Sequence, residues 1–375
     1  MNTGEISAWH FATRQPVCVR WAGGVITQLD AAPPNPPPDR WIAPPLCDLQ
    51  VNGYAGVDFQ QDNLTPDDLL RATHGLRAAG CTRFFLTLIT DEWSKLAARL
   101  SHLVAIRAQS KQLQSAIAGW HIEGPFLSDQ PGFHGAHEPA LMLDPKPERI
   151  RELRALTGHD LLLLTLAPER SGAIEAIRLA TSLGIKTSLG HTNASAEVLA
   201  QAVQAGAKMF THLANGCPRE LDRHDNILWR VLETPGLTPS LIPDQIHVSP
   251  SPFRLIHRAL NGNVFYTTDA MAAAGATPGH YTIGKLEVEV GADQIVRQPG
   301  KSNFAGSALR PIDGVFRAAK MLNCPWQEAW TRFSETPARL LGLNCELAVG
   351  QRANFCLIKV SPVGELLGLE TCWNA

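Results

Sequence analysis

The sequence predicts a (β/α)8 barrel with a small β domain, one sheet built from the two flanks of the chain. Two observations predict it. Along the middle of the 375-residue chain, a short apolar run, a polar or glycine-containing tip and a helix-like stretch follow one another eight times, the pattern of parallel strands alternating with helices. The competing architecture, a doubly wound open sheet, usually has fewer strands and often a glycine-rich phosphate loop after the first one. That loop is absent here.

The elements follow in order. Segment 17–25 is β-like, and the proline-rich tract 32–39 after it is rigid and non-helical. The eight strands are expected at 46–51, 82–90, 116–123, 160–167, 185–190, 207–212, 237–246 and 264–268. Helical spacing is clearest between them at 66–79, 92–109, 173–183 and 194–205. After the eighth run, segment 281–290 alternates Ile283, Leu286, Val288 and Val290, which reads as strand. Segments 309–323 and 326–341 read as amphipathic helices, and the tail 350–360 ends in another strand-like run. Strands from both ends are expected to pair into a small sheet beside the barrel. The expected partition is 1–43 for the first part of the β domain, 44–280 for the catalytic barrel, and 281–375 for the remaining β strands and the helices that return to the barrel.

Composition narrows the function classes. The formal net charge is −2, which gives no electrostatic footprint for nucleic acid or an anionic membrane. No apolar run is long enough to span a bilayer. The opening Met-Asn-Thr-Gly-Glu lacks the basic and apolar regions of a signal peptide. The eight cysteines are scattered with no Cys-x-x-Cys pair, as expected of reduced thiols in a cytoplasmic protein.

Chemistry gathers at the strand ends, where barrels of this kind build their active sites. Glu123 closes the third run, His191 the fifth, His212 the sixth and Asp269 the eighth. A polar residue ending an apolar strand is costly unless it pairs or coordinates. A lone strand-end histidine is more often a satisfied core group than a ligand. Four such residues with complementary chemistry point instead to a metal-dependent hydrolase. One carboxylate and two imidazoles, Glu123, His191 and His212, can hold one divalent ion and leave a position open for water. Asp269 read alone is a loop or capping carboxylate; beside a metal-activated water it is the candidate general base and acid. Asp48 and Asp244 lie nearer strand middles or starts and are weaker candidates.

These segments together resemble a known family. They are Leu-Cys-Asp-Leu-Gln-Val-Asn-Gly-Tyr-Ala-Gly-Val-Asp-Phe, Gly-Cys-Thr-Arg-Phe-Phe-Leu-Thr-Leu-Ile-Thr, His-Ile-Glu-Gly-Pro-Phe, Leu-Ala-Pro-Glu, Gly-His-Thr-Asn-Ala, Thr-His-Leu-Ala-Asn and Thr-Asp-Ala. The chain resembles the N-acetylglucosamine-6-phosphate deacetylases of the amidohydrolase superfamily from about Pro45 to the C-terminus. The resemblance implies a metal-bearing (β/α)8 barrel with a small β-sandwich, an amino-sugar substrate and a homodimer. It implies Glu123, His191 and His212 as metal ligands and Asp269 as base and acid. It implies His137 near the acetamide carbonyl, with His134 a neighbour easily confused with it. It places Asn215, Gly216 and His247 at the sugar. His247 taken alone could equally pair with a nearby carboxylate.

Two departures sharpen the expectation. Superfamily members often carry His-x-His at the first strand end to hold a second metal; here Gln50 and Asn52 stand there. Neutral amides are poor ligands for transition metals, so one ion per subunit is expected, with Zn²⁺ the default and Fe²⁺, Mn²⁺ or Co²⁺ also suited. The segment after the sixth strand, where the family carries a phosphate-holding arginine, reads Pro-Arg-Glu-Leu-Asp-Arg-His-Asp-Asn-Ile-Leu-Trp-Arg. Arg223 is the best match, with Arg219 and Arg230 as competitors. The implied reaction is hydrolysis of the acetamide of N-acetylglucosamine-6-phosphate or a close N-acetyl amino sugar. The rivals are another mononuclear amidohydrolase acting on a different N-acyl or cyclic amide, and a non-catalytic sugar-binding barrel.

Overall fold

The computed structural model describes residues 3–31, 36–299 and 304–373, without the side chains of 371–373. The first half of the proline tract, 32–35, lies outside the described residues. Eight strands form one parallel sheet in sequential order: β1 (Leu46–Val51), β2 (Cys81–Ile89), β3 (Ile117–Glu123), β4 (Leu161–Leu166), β5 (Lys186–Leu189), β6 (Met209–Phe210), β7 (Thr238–Leu241) and β8 (Phe265–Tyr266). Each is followed by a helix on the outside: Pro66–Ala78, Trp93–Ala108, Pro147–Thr157, Ala173–Ser182, Ala196–Ala205, Ile227–Glu233, Pro250–Ala259 and Pro311–Leu322. Thr65 shows why these helices begin where they do. Its hydroxyl accepts from the Asp68 amide while the Asp68 carboxylate accepts from the Thr65 amide, a reciprocal cap placed just before Pro66.

β8 and β1 meet without a regular ladder. The seam is closed by an isolated bridge between Val51 and Ala270 and by the amides of Asn52 and Gly53 donating to the Ala270 carbonyl at 2.7 and 3.1 Å. Asp48, fully buried, completes the closure. Its carboxylate accepts from the hydroxyls of Thr267 and Thr268, both at 2.6 Å, and from the Thr268 amide. The barrel interior is layered. Cys47, Leu49, Phe85, Leu163, Met209 and Phe265 form one apolar cluster. Phe85, Leu163, Met209 and Phe265 belong to alternate strands, which can meet only inside the barrel. A polar layer of Thr87, His121, Thr165, Ser188 and Thr211 shares hydrogen bonds between 2.7 and 3.2 Å. Burial keeps His121 neutral there, with its pKa pushed down to about 4.

Strands from both ends do pair in one sheet, in the order Leu366–Trp373, Phe355–Val360, Arg40–Ala43, Thr3–His10, Pro16–Ala22 and Val25–Ala31. The β-like stretch at 17–25 resolves into two strands, because Gly23 and Gly24 both adopt positive φ and turn the chain back. The alternating segment 281–290 is also two strands, Gly279–Ile283 and Leu286–Val290, turning at Gly284. They join Val296–Arg297 in a three-stranded sheet of their own and do not enter the terminal sheet. The helix expected over 326–341 breaks into Trp326–Phe333 and Glu335–Leu340. Pro337 has no N–H to continue the first helix, and Ser334 leaves helical geometry at φ −124°, ψ −78°. No helix is long and apolar enough to cross a membrane among the described residues.

Candidate metal centre and active-site cavity

The paired parts of β5, β6, β7 and β8 stop earlier than their apolar runs suggest, and this positions the chemistry. His191, His212 and Asp269 lie two or three residues beyond the last paired residue of their strands, with φ of 50°, 32° and 52°. Non-glycine residues in this region cost of order 1 kcal/mol or more and concentrate at functional sites. The turn of the backbone carries each side chain over the mouth of the barrel. β7 ends at Leu241 because Pro243, two residues on, cannot donate to a ladder. His247 is therefore in the loop after β7 and not at the strand end.

Glu123, His191 and His212 are all buried, and their ligand atoms lie within 4.8 Å of one another. His212 Nε2 is 3.0 Å from Glu123 Oε1, His191 Nε2 is 3.4 Å from the same oxygen, and the two Nε2 atoms are 3.2 Å apart. His191 Nδ1 donates to the Phe133 carbonyl at 2.9 Å, so a neutral His191 turns a lone pair on Nε2 toward the cluster. His212 Nδ1 is buried without a hydrogen-bond partner among the described residues. Burial works against a charge on His212, but the Glu123 carboxylate outweighs it and raises its pKa. Burial alone would raise Glu123; the two imidazoles outweigh burial and hold it well below the carboxylate range. Three converging donors, one ionised, in a place that favours added positive charge are a group that could hold a divalent metal ion.

Asp269 stands beside this cluster. Burial, and then the charge of Glu123, push its pKa up to about 6. Gln50 Nε2 donates both to Glu123 Oε1 at 3.0 Å and to Asp269 Oδ1 at 2.9 Å, and Asn52 Nδ2 donates to Asp269 Oδ1 at 2.7 Å. His137 is buried, with Nδ1 2.9 Å from Thr90 Oγ1 and Nε2 3.8 Å from Glu123 Oε2. Burial, and then His191, push its pKa down to about 3, which keeps it neutral. His247 Nδ1 is 2.6 Å from Asp244 Oδ2. Burial would raise Asp244, but His247 beside it outweighs burial and holds it below the carboxylate range. The pairing anticipated for a lone His247 thus exists, and its ring still reaches the cavity.

One cavity of about 630 Å³ is lined by Glu123, His137, His191, His212, Asn215, Gly216, His247 and Asp269 together. His134, Arg219, Cys217, Ile283 and Phe304 also face it. Of the three arginines after β6, only Arg219 lines it. Arg223 is exposed and turns its guanidinium to His224. Arg230 is engaged by Asp225 and by the backbone of Asn193 and Ala194. The wall made by Ile283 and Phe304 was not legible in the sequence: apolar alternation does not say which surface the hairpin of Ile283 covers, and Phe304 lies outside that hairpin, bridged to Arg297. Glu169, in the Leu-Ala-Pro-Glu segment, also acquires a contact: it accepts from the Thr192 hydroxyl and the Asn193 amide, which pins the loop just after His191.

No family profile matches the chain, but individual proteins do. The N-acetylglucosamine-6-phosphate deacetylase of Vibrio furnissii is 30% identical over 320 residues, covering 84% of this chain and 78% of that protein. The Caenorhabditis elegans protein of the same name is 32% identical over 331 residues, with the same coverage. Among solved structures, an aspartate-to-alanine variant of N-acetyl-D-glucosamine-6-phosphate deacetylase from Mycobacterium smegmatis, in complex with N-acetyl-D-glucosamine-6-phosphate, superposes with a TM-score of 0.85 at 28% identity. That match covers 98% of this chain and 99% of that one. The 5-methylcytosine deaminase of Klebsiella pneumoniae shares the fold at a TM-score of 0.58 and 14% identity.

Proposed function

The chain belongs to the N-acetylglucosamine-6-phosphate deacetylase family of amidohydrolases, and from that premise we propose that it hydrolyses the acetamide of N-acetylglucosamine-6-phosphate to acetate and the free amine. The observation that carries the proposal is Asp269, a buried carboxylate held by the Gln50 and Asn52 amides, in one cavity with the Glu123, His191 and His212 donor set.

A divalent ion held by Glu123, His191 and His212 supplies a Lewis acid that acidifies water and polarises the carbonyl. Asp269 accepts the proton of the attacking water as the new C–O bond forms. It returns that proton to the nitrogen as the C–N bond breaks, because an amine leaves poorly as an anion. Neutral His137 donates to the oxygen that becomes negative in the tetrahedral transition state, a contact of a kind worth a few kcal/mol. His247, Asn215 and the Gly216 backbone hold the sugar. Zn²⁺ is the default ion for this donor set, and Fe²⁺, Mn²⁺ or Co²⁺ also suit it. One ion is assigned because the Gln50 and Asn52 amides point donors, not lone pairs, at Glu123 and Asp269. Within the subunit, Arg219 is the arginine placed to meet the 6-phosphate. The family reading also carries a homodimer and a cytoplasmic location.

The test is acetate release from N-acetylglucosamine-6-phosphate, its galactosamine analogue and the two unphosphorylated sugars, after chelation and after return of each metal. The phosphorylated glucosamine is expected to have the highest kcat/KM, with activity lost on chelation. No acetate from any of the four sugars under any metal would overturn the proposal.

A further inference from the structure

Gln50 sits in an irregular stretch of β1, between Asp48 and Val51, where the strand's register against β2 shifts, and Asn52 follows directly after the strand's last residue. Both reach across the seam to the end of β8, 219 and 217 residues away in sequence. Both are buried, at 3% and 2% exposure. Their partners are carboxylates, so the amide orientation is fixed: only the NH₂ end can donate.

The Gln50 NH₂ has two protons and two partners, Glu123 Oε1 and Asp269 Oδ1. It therefore stands between two carboxylates that would otherwise repel. Asn52 spends its side chain on a single residue. Nδ2 contacts Asp269 Oδ1 at 2.7 Å and the Asp269 carbonyl at 3.5 Å, while its Oδ1 is buried with no hydrogen-bond partner among the described residues. Leaving a buried amide oxygen unpaired is unfavourable. The arrangement is one in which the Asp269 contact sets the orientation and the rest of the amide follows.

Both donors converge on the same oxygen of Asp269. Two N–H groups on Oδ1 occupy the lone pairs of that atom, and Oδ2 remains as the oxygen able to take a proton. We infer that Gln50 and Asn52 are positioning residues for catalysis: a neutral amide clamp that fixes the Asp269 carboxylate and dedicates Oδ2 to proton transfer. The inference deepens the deacetylase reading and rests on it. A charged or imidazole side chain at either position would not do the same work. A carboxylate would repel Glu123 and Asp269, and a histidine would bring a lone pair into the site.

Asn52 is the cleaner probe, because Gln50 also touches a candidate metal ligand. Four proteins are compared with N-acetylglucosamine-6-phosphate as substrate: wild type, Asn52→Leu, Asp269→Asn and the double variant. Each is brought to equal metal content by elemental analysis. The clamp predicts that Asn52→Leu lowers kcat roughly 10- to 100-fold, the cost of a misplaced catalytic group, with KM changed less than about threefold. In the Asp269→Asn background the same substitution is expected to change kcat less than about twofold, since the group it positions is gone. An unchanged kcat, a rise in KM at constant kcat, or an equal loss in both backgrounds would overturn the clamp. If Asn52→Leu is unfolded at the assay temperature, Asn52→Ala takes its place and the same outcomes decide. A wild-type enzyme that releases no acetate from this sugar overturns the deacetylase reading itself, and is told apart from failure of the clamp by that result alone.

Discussion

The imidazole of His191 donates from Nδ1 to the carbonyl oxygen of Phe133, 2.9 Å away, and this bond decides which ring nitrogen faces Glu123 and His212. A ligand fixed from behind holds an ion more tightly than a free one. His191→Ala should therefore strip the metal. Elemental analysis after dialysis is expected to fall from about one ion per subunit to near none, and full occupancy would remove His191 from the donor set.

The same ring is gripped from two loops. A Cβ on Gly135 would come 2.8 Å from His191 Cε1, and one on Gly216 would come 2.8 Å from His191 Nδ1; both glycines have φ of 61°. Gly216→Ala should push the ring and weaken metal affinity roughly 10- to 100-fold. The metal-free protein should lose only about 1 kcal/mol, from the strained φ. Titration with a competing chelator measures the first and metal-free unfolding the second. An affinity equal to wild type would contradict the grip.

Asp48 accepts from three donors, the Thr267 and Thr268 hydroxyls and the Thr268 amide, across the β1–β8 seam. Asp48→Ala leaves those buried donors unpaired, and stability should fall by roughly 3 kcal/mol. Denaturant unfolding of wild type and variant checks this. A change below about 0.5 kcal/mol would mean that the seam does not depend on the carboxylate.

His257 contributes an acid limb to stability. Its Nε2 is 3.0 Å from the Tyr266 hydroxyl, and burial, with Arg332 second, pushes its pKa from 6.5 to about 4. Between those values the unfolded chain binds the proton and the folded chain does not, so stability falls as pH drops below 6.5. The loss through this window is on the order of 3 kcal/mol. His257→Gln, which can still bond Tyr266, should lose less Tm than wild type between about pH 7 and pH 5. Parallel declines would remove His257 as the cause.

The candidate metal donors Glu123, His191 and His212, and Asp269 beside them, were legible as a cluster because each is a polar residue closing an apolar run. Burial makes such a residue expensive unless it has work to do. The strand series was legible for the same reason, since parallel strands buried on both faces are continuous apolar runs. The loops were not. Arg219 and Arg223 lie four residues apart in a segment with no periodicity, and only folding shows that Arg219 faces the cavity and Arg223 does not. Asp48 looked like a weak catalytic candidate because it lies inside its strand, and its role at the seam was hidden because its partners are 219 and 220 residues away. Gln50 and Asn52 were readable as an absence of metal-binding histidines, but their grip on Asp269 depends on closure of the barrel.

The central claim is that Asp269 moves the proton at a site whose metal is held by other residues. The most direct measurement is kcat for acetate release from N-acetylglucosamine-6-phosphate by Asp269→Asn, alongside metal content by elemental analysis. The account predicts a loss of roughly 10²- to 10⁴-fold in kcat with metal content equal to wild type. Near-normal turnover by the fully metallated variant would contradict it.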